Sequence, residues 1–180
     1  MSIIIIYNSK TGFTKKYADW IAAELNCSVL PYKDLPKATI TTDDIVIFGS
    51  RVHAGKIEHL NKVKLRFVNK QSFIVFATGA TPASETKAID RIWTNNFTEA
   101  EISLIPHFYM QSGLNYENMG FIDRTIMKTV AKLMSGKEEK SETEAGFEQA
   151  IKSSYDITSR EYIMPLANYV NGNFNFGRGK

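Results

Sequence analysis

The sequence predicts one α/β domain built on a doubly wound parallel sheet with helices on both faces. Apolar, β-branched runs alternate with segments in which apolar residues recur at helical spacing. Residues 2–8 are dominated by β-branched and aromatic side chains, a pattern typical of a strand buried on both faces of a parallel sheet. Strands that alternate with helices form such sheets through right-handed crossovers. The 180 residues suffice for one domain with a sizeable core.

The predicted elements follow in a regular order. We expect strands at residues 2–8, 27–31, 45–48, 72–77 and 102–110, helices at 15–25, 57–69, 84–95, 121–134 and 158–170, and a short helical turn at 147–153. Residues 31–44 contain two prolines, so the second crossover should be abbreviated. Pro106 indicates a bulge or an edge position in the fifth strand. The domain is expected to span residues 1–170, and the Gly- and Asn-rich residues 171–180 are expected to form a flexible tail.

The composition argues against several classes of protein. The formal net charge of +3 comes with Lys and Arg residues spread along the chain, which argues against nucleic acid as a partner. The single cysteine, Cys27, is expected in a buried strand, so no intramolecular disulfide or cysteine-based metal site is expected. No His, Asp or Glu cluster has metal-binding spacing. No signal peptide or apolar run of about 18 residues is evident, so we expect a cytoplasmic protein, at most peripheral to the inner face of the cell membrane.

The loop after the first strand is the strongest functional signal. Its sequence is Ser9-Lys10-Thr11-Gly12-Phe13-Thr14, between a strand and a helix. Backbone N–H groups and three hydroxyls at a helix N-terminus favour an anion, and Gly12 permits close approach or a positive φ. These donors suit a monophosphate, because the glycine spacings of the Walker A and dinucleotide-binding loops are absent. From spacing alone, the alternative is a polar turn with Thr14 near the N-cap.

Two further loops of small or polar residues follow later strands. Ser50-Arg51-Val52-His53-Ala54-Gly55 comes after the third strand, and Thr78-Gly79-Ala80-Thr81 comes after the fourth. The carboxyl ends of parallel strands lie at one edge of a sheet, where ligands bind beside the switch in strand order. We therefore expect the three loops to surround a flat ligand whose phosphate is bound by the first loop.

The first loop resembles that of a known family. Ser9–Thr14 matches the pattern S/T-x-S/T-G-x-T, the loop that binds the phosphate of flavin mononucleotide (FMN) in the flavodoxin family. The resemblance implies a flavodoxin-like, five-stranded sheet of order 2-1-3-4-5, with FMN as the cofactor. It also implies that the phosphate is bound by Ser9, Lys10, Thr11, Gly12, Phe13 and Thr14, and that the isoalloxazine ring lies beside Ser50, Arg51, Val52, His53, Ala54, Gly55, Thr78, Gly79, Ala80 and Thr81.

Other segments are similar to one branch of that family. Residues 49–55, 122–128 and 132–136 resemble segments of the flavodoxin-type, menaquinone-dependent protoporphyrinogen IX dehydrogenases and their uncharacterised relatives. The similarity covers most of the chain up to about residue 150. It implies a porphyrinogen or a quinone as a small redox substrate, whereas a redox protein is the alternative partner.

Several side chains near the predicted ring have two interpretations. Arg51 is placed to contact the pyrimidine edge of the flavin or a substrate carboxylate, or is a plain surface residue. His53 is either a donor to the flavin edge or a substrate, or an exposed loop imidazole. We expect no functional role for His59, which begins a helix with a polar outer face, and we expect His107, in a strand, to be a hydrogen-bonded structural residue. The ring loops offer Val52 and His53 as the only larger side chains for stacking.

The segment from residue 115 to residue 144 is longer than a simple βα connection requires. We expect it to cover or border the flavin site. Its basic residues Arg124, Lys128 and Lys132 suit a carboxylated tetrapyrrole or an anionic membrane surface, and the apolar face of helix 121–134 otherwise packs in the core.

Two functions remain open from the sequence. The first is an FMN-dependent oxidoreductase that passes electrons between a donor and an acceptor through the flavin. The second is a non-catalytic electron carrier that serves a partner redox enzyme. The chain lacks the strong acidity of many carrier flavodoxins that dock on basic partners, which favours the enzyme. Nothing in the sequence distinguishes a porphyrinogen, a quinone or a protein as the partner.

Overall fold

A parallel sheet occupies the centre of the fold. The structure, a computed structural model, describes residues 2–67, 72–115 and 154–174. Its strands are β1 (Ile3–Asn8), β2 (Ser28–Pro31), β3 (Ile45–His53), β4 (Lys56–Ile57), β5 (Phe73–Gly79) and β6 (His107–Gln111). The five longer strands are parallel and lie in the order β2-β1-β3-β5-β6, while β4 pairs antiparallel with β3. Counted over the parallel strands, this is the predicted order 2-1-3-4-5, which is confirmed.

Helices cover both faces of this sheet. They are α1 (Phe13–Leu25), α2 (Leu60–Phe67), α3 (Thr86–Asn96), α4 (Glu99–Leu104) and α5 (Met164–Asn173), with 3-10 turns at Tyr32–Lys37 and Arg160–Ile163. Helices α1 and α5 pack on the face that carries Ile5, Ile47 and Phe76. Helices α2 and α3 pack on the opposite face, which carries Phe48 and Val75. The 3-10 turn after β2 confirms the abbreviated second crossover.

The alternation of side chains along β5 explains why the sheet is buried on both sides. Ile74 and Phe76 lie in the core beneath α1, whereas Val75 and Ala77 lie in the core beneath α2 and α3. This is the period of two that a strand imposes on its side chains. Because both faces are apolar, β5 and its neighbours read as continuous hydrophobic runs in the sequence.

The prediction of a strand over residues 102–110 is wrong in its first half. Residues 99–104 form α4, and β6 begins only at His107. A capping box starts α4, because the Thr98 Oγ1 accepts from the Glu101 N–H at 3.3 Å and a Glu101 carboxylate oxygen accepts from the Thr98 N–H at 2.8 Å. Pro106 lies between the two elements, where its missing N–H breaks no ladder and its carbonyl accepts from the Val75 N–H.

The predictions that the third strand ends at residue 48, that a polar loop follows over residues 49–56 and that a helix starts at residue 57 are also wrong. Strand β3 continues to His53 and turns back into β4, so α2 begins only at Leu60. The turn residues Ala54 and Gly55 have φ values of 48° and 75°, which is the pattern of a two-residue type I′ hairpin. The carboxyl end of β3 is therefore a rigid hairpin.

The other helices and strands begin and end closer to their predicted residues. Cys27 precedes β2 and is only half-buried, rather than lying in a buried strand. The closing helix is a 3-10 turn followed by α5, in which Pro165 is tolerated because it lies in the first turn. Residues 171–173 of the predicted tail continue α5. The predicted elements at 121–134 and 147–153 lie outside the described residues. Among the described helices, none is long and apolar enough to cross a membrane.

A buried carboxylate joins the start of β1 to the start of β3. Asp44 accepts hydrogen bonds from the N–H and hydroxyl of Ser2 at 2.9 and 2.7 Å, and from the N–H and hydroxyl of Thr41 at 2.8 Å each. These bonds hold the pKa of Asp44 well below its ordinary value. Asp44 thus ties the amino-terminal edges of the two central strands together.

We predict that Asp44→Ala lowers the free energy of unfolding at pH 7 by about 1–2 kcal/mol, because four donors of Ser2 and Thr41 lose the carboxylate that accepts from them. The folded-state pKa lies below the unfolded value of about 3.9, so this stabilisation is present above that pH and is lost as the pH falls further. Urea denaturation at pH 7 and at pH 3 measures both effects, with the exposed neighbour in Asp43→Ala as control. Equal losses for the two variants at pH 7 would contradict the assignment.

Candidate functional site

The loop after β1 leads directly into α1. Gly12 lies at the N-cap position with a φ of 95°, and a Cβ added there would meet no atom within 4 Å. Its carbonyl accepts the first helical bond, from the Lys16 N–H at 3.0 Å. No side chain caps this helix end among the described residues. The first N–H groups of α1 therefore remain donors for an anion at the positive end of the helix dipole.

The hydroxyls of this loop do not behave alike. The Ser9 Oγ is buried and has no hydrogen-bond partner among the described residues. Thr14, by contrast, is only 1% exposed, and its Oγ1 lies 2.8 Å from the Oγ1 of Thr78. Thr14 therefore already has a partner on β5, whereas Ser9 has none among the described residues.

The segment that follows β6 also contacts this loop. The side-chain amide of Asn115 donates to the Thr11 carbonyl at 3.1 Å. Just before it, Leu114 and Tyr155 exchange two backbone hydrogen bonds of 2.8 and 3.0 Å in an antiparallel bridge. Because of these contacts, residues 114, 115 and 155 lie next to the loop that carries Gly12.

A polar cluster lies where β1 and β3 end. The Asn8 amide donates to the Ser50 hydroxyl at 3.2 Å and to the Glu58 carboxylate at 3.1 Å. The other carboxylate oxygen of Glu58 lies 2.6 Å from the Arg51 guanidinium, and this pair is largely buried. Burial raises the pKa of Glu58, but its hydrogen bond and charge interaction with Arg51 outweigh burial, so the pKa lies below the ordinary value. Arg51 is thus a partner of Glu58 rather than a plain surface residue.

A buried amide anchors the β3–β4 hairpin. Asn96, at the end of α3, donates to the Gly55 carbonyl at 2.9 Å and to the Ile92 carbonyl at 2.7 Å. Its side-chain oxygen accepts from the Ile57 N–H at 2.9 Å. The hairpin tip that presents His53 and Ala54 is therefore fixed to a helix on the other side of the turn.

The loop after β5 is supported by β6. The buried Tyr109 hydroxyl donates to the Thr81 carbonyl at 2.9 Å, and Gly79 leaves the space in which this hydroxyl lies. The side-chain oxygen of Gln111 accepts from the Ala83 N–H at 2.8 Å and from the Tyr162 hydroxyl at 3.0 Å. The loop backbone is thus held in one arrangement.

The predicted site residues meet at one edge of the sheet. Parallel pairing aligns Asn8 with Ser50, and Arg51 with Thr78, so the first, second and third loops leave the sheet side by side. The supporting residues Asn8, Glu58, Asn96 and Tyr109 were not predicted. Only Asn8 carried a signal in the sequence, since it is the last residue before the first loop; the others reach the site through the fold.

The other two histidines make structural contacts, as the sequence indicated for His107. His59 has a φ of 62° and stacks on Tyr32 with ring centroids 4.4 Å apart. His107 begins β6, where its Nδ1 lies 2.8 Å from the Ile105 carbonyl oxygen and its ring packs against Trp93. Within the described ranges, no group of three His, Cys, Asp or Glu side chains is arranged to hold a metal ion.

Comparison with known proteins identifies the family. A family model described as the flavodoxin domain matches residues 4–141, which is more than half of the chain. The chain belongs to the flavodoxin family. Among solved structures, it is similar to a flavodoxin from the domain Archaea, at 16% identity and a TM-score of 0.32, covering 61% of this chain and 85% of that one. A search of curated proteins finds no match.

Proteins with a flavodoxin domain bind FMN and transfer electrons through it, and this chain is a flavodoxin-like protein of that kind. The residues present fit the phosphate of that cofactor. Helix α1 has an uncapped N-terminus, Gly12 leaves open space beside it, and the buried Ser9 Oγ lacks a partner among the described residues. Such an arrangement supplies hydrogen-bond donors and a favourable dipole to an anion.

The anchoring role of Asn96 yields a prediction for the hairpin. Asn96→Ala should lower the free energy of unfolding by about 2–3 kcal/mol, because the Ile57 N–H and the Gly55 carbonyl lose their buried partner. The exposed neighbour provides the control, as Asn95→Ala should change stability by less than about 0.5 kcal/mol. Urea denaturation measures the difference, and hydrogen exchange should show faster exchange of the Ile57 amide in Asn96→Ala alone. Unchanged protection of that amide would contradict the anchoring role.

Proposed function

We propose that this flavodoxin-family protein is an FMN-dependent oxidoreductase. In this proposal Ser9–Thr14 bind the FMN phosphate, and the loops at Ser50–Gly55 and Thr78–Thr81 border the isoalloxazine ring. The observation that supports it best is the uncapped N-terminus of α1 with Gly12 at a φ of 95°, at the edge where β1, β3 and β5 end. Bound FMN would supply the redox chemistry, by accepting electrons from one molecule and passing them to another.

The phosphate loop acts through its backbone. The N–H groups at the start of α1 donate to phosphate oxygens, and the Ser9 hydroxyl gains in the phosphate the acceptor it otherwise lacks among the described residues. Lys10 is exposed and adds positive charge beside the dianion. Gly12 adopts a conformation that other residues reach only with strain, so it determines the path of the loop.

The ring loops act by orienting the flavin and by setting the charge around it. Arg51 lies in β3 two residues before its last residue, and its pairing with Glu58 holds the guanidinium in one direction. A fixed positive charge beside the pyrimidine edge favours the reduced, anionic flavin. His53, at the hairpin tip, is a hydrogen-bond donor for the flavin edge or the substrate. Val52 is partly buried and packs against the core.

We propose a porphyrinogen as the electron donor and a quinone as the acceptor. This rests on the similarity of residues 49–55, 122–128 and 132–136 to the protoporphyrinogen dehydrogenase branch. The basic residues Arg124, Lys128 and Lys132 match the carboxylates of a tetrapyrrole, or the anionic surface of a membrane that holds the quinone pool. These residues, and the expected border between residues 115–144 and the flavin, lie outside the described part of the chain apart from Asn115.

The second candidate is a non-catalytic electron carrier for a partner enzyme. The support for it is the family itself, since flavodoxin-like electron transfer needs no substrate pocket. An assay of substrate oxidation by the purified protein distinguishes the two functions. An enzyme oxidises a porphyrinogen with a quinone as acceptor in the absence of other proteins. A carrier does so slowly, but restores electron flow from a reductase to an acceptor protein.

We predict that FMN titrated into apo-protein binds wild type tightly, and that Gly12→Val weakens it by more than 2 kcal/mol because the loop can no longer keep its left-handed conformation. Thr14→Ala should cost about 1–2 kcal/mol by removing one hydroxyl. Quenching of flavin fluorescence measures the dissociation constants. Gly172→Val is the matched control, since Gly172 lies in α5 with open space around it and an ordinary φ. Wild-type protein that takes up no FMN would refute the proposed function.

A charge-reversal experiment tests the substrate. The double variant Arg124→Glu with Lys128→Glu should retain FMN but lose most porphyrinogen oxidation or liposome binding, because like charges then face the anionic partner. The control is Lys62→Glu with Arg91→Glu, two exposed positions on α2 and α3 that give the same change in net charge. If the first variant keeps full activity and full liposome binding, the porphyrinogen assignment loses its basis.

A further inference from the structure

Thr78 was expected beside the flavin ring, but its side chain lies under the start of α1. It belongs to the series Ile74, Phe76 and Thr78, whose alternate positions share the face of β5 covered by α1. Its Oγ1 lies 2.8 Å from that of Thr14, the second residue of α1, and the two residues are 2% and 1% exposed. The contact crosses above β3, which separates β1 from β5 in the sheet.

The directions of the two hydroxyl hydrogens determine whether this pair can donate a hydrogen bond to a third group. A threonine hydroxyl has one hydrogen to donate and two lone pairs to accept with. In a pair of hydroxyls only one hydrogen lies between the oxygens, so the other is left for a third group. Ser9, in the same loop, also has a buried hydroxyl without a partner among the described residues, so a second hydroxyl of this loop is available to an acceptor.

We propose that Thr78 is a positioning residue of the phosphate site, and this rests on the proposed binding of FMN. The Thr78 hydroxyl donates to the Thr14 Oγ1, which directs the Thr14 hydrogen toward a phosphate oxygen. A fully ionised phosphate accepts hydrogen bonds and donates none. A bound phosphate therefore favours the arrangement in which Thr78 donates to Thr14 and Thr14 donates to the phosphate. The loop after β5 thereby contributes to phosphate recognition through Thr14, without contacting the phosphate itself.

The proposed role of Thr78 depends on the register in which β5 pairs with β3. Thr78 pairs with Arg51 on β3, so a shift of one residue would turn Thr78 toward α2 and α3 and bring Ala77 or Gly79 under α1. Neither of those residues has a side-chain hydroxyl. The contact therefore exists only because β5 carries a threonine two residues beyond Phe76.

The ratio of FMN affinity to riboflavin affinity isolates the phosphate. Thr78→Val keeps the shape of the side chain and removes its hydroxyl. We expect it to weaken FMN about five- to tenfold and riboflavin less than about twofold, because only the phosphate contact is disturbed. Thr78→Ser, which restores a hydroxyl, should recover the wild-type ratio. Fluorescence titration of apo-protein with each flavin gives both constants, and thermal unfolding of each apo-variant shows that it is folded.

Other outcomes decide against the proposal. Equal weakening of both flavins by Thr78→Val would mean that Thr78 supports the ring or the fold in general, and unchanged affinities for both flavins would mean that the pair has no role. If Thr78→Val does not fold, Thr78→Ala is measured by the same criterion. Wild type that binds both flavins equally, or neither, refutes the proposed phosphate site itself, so the two failures are distinguishable.

A double-variant cycle checks that Thr78 acts through Thr14. If it does, Thr14→Val combined with Thr78→Val should lose no more than about twofold in FMN affinity beyond Thr14→Val alone, since residues in contact do not act additively. Independent contacts with the phosphate would instead give losses that multiply, and this result would overturn the proposed route.

Discussion

Parallel pairing on both sides of β3 is the constraint on which the site depends. β3 pairs with β1 and with β5, so Asn8, Ser50 and Ala77 lie in one row across the sheet. All three strands end at the same edge, and the loops that leave them meet there. Because both faces of the strands are buried beneath helices, a slip of one residue would move each side chain to the opposite face and disrupt the packing on both sides. The register that stabilises the core therefore also sets the positions of the loops.

Polar contacts hold the loops that leave this edge of the sheet in fixed positions relative to one another. Glu58 joins the ends of β1 and β3 by contacting Asn8 and Arg51, and Asn96 holds the hairpin from α3. Tyr109 holds the loop after β5. Each contact uses a group that is largely buried, where an unsatisfied partner would be costly. The site is thus supported by residues that need not contact the cofactor.

Local patterns in the sequence predicted the strands and the phosphate loop, because those features depend on neighbouring residues. A run such as Ile3–Tyr7 fits only a buried strand, and the sequence around Gly12 fits a loop before a helix. Predictions failed where local signals compete: Thr98 and Glu101 form a capping box that starts α4 within an apolar stretch, and Ala54–Gly55 turns β3 back into β4. The pairs Thr14–Thr78 and Gly55–Asn96 join residues 64 and 41 positions apart, which no local pattern encodes.

The position of the phosphate in an FMN complex tests the central claim most directly. A crystal structure of the protein with bound FMN should show the phosphate against the N–H groups at the start of α1, within hydrogen-bonding distance of the Ser9 hydroxyl, and the ring between the β3–β4 hairpin and the loop after β5. A phosphate bound at another edge of the sheet, with the loop of Ser9–Thr14 making no contact to it, would contradict the account.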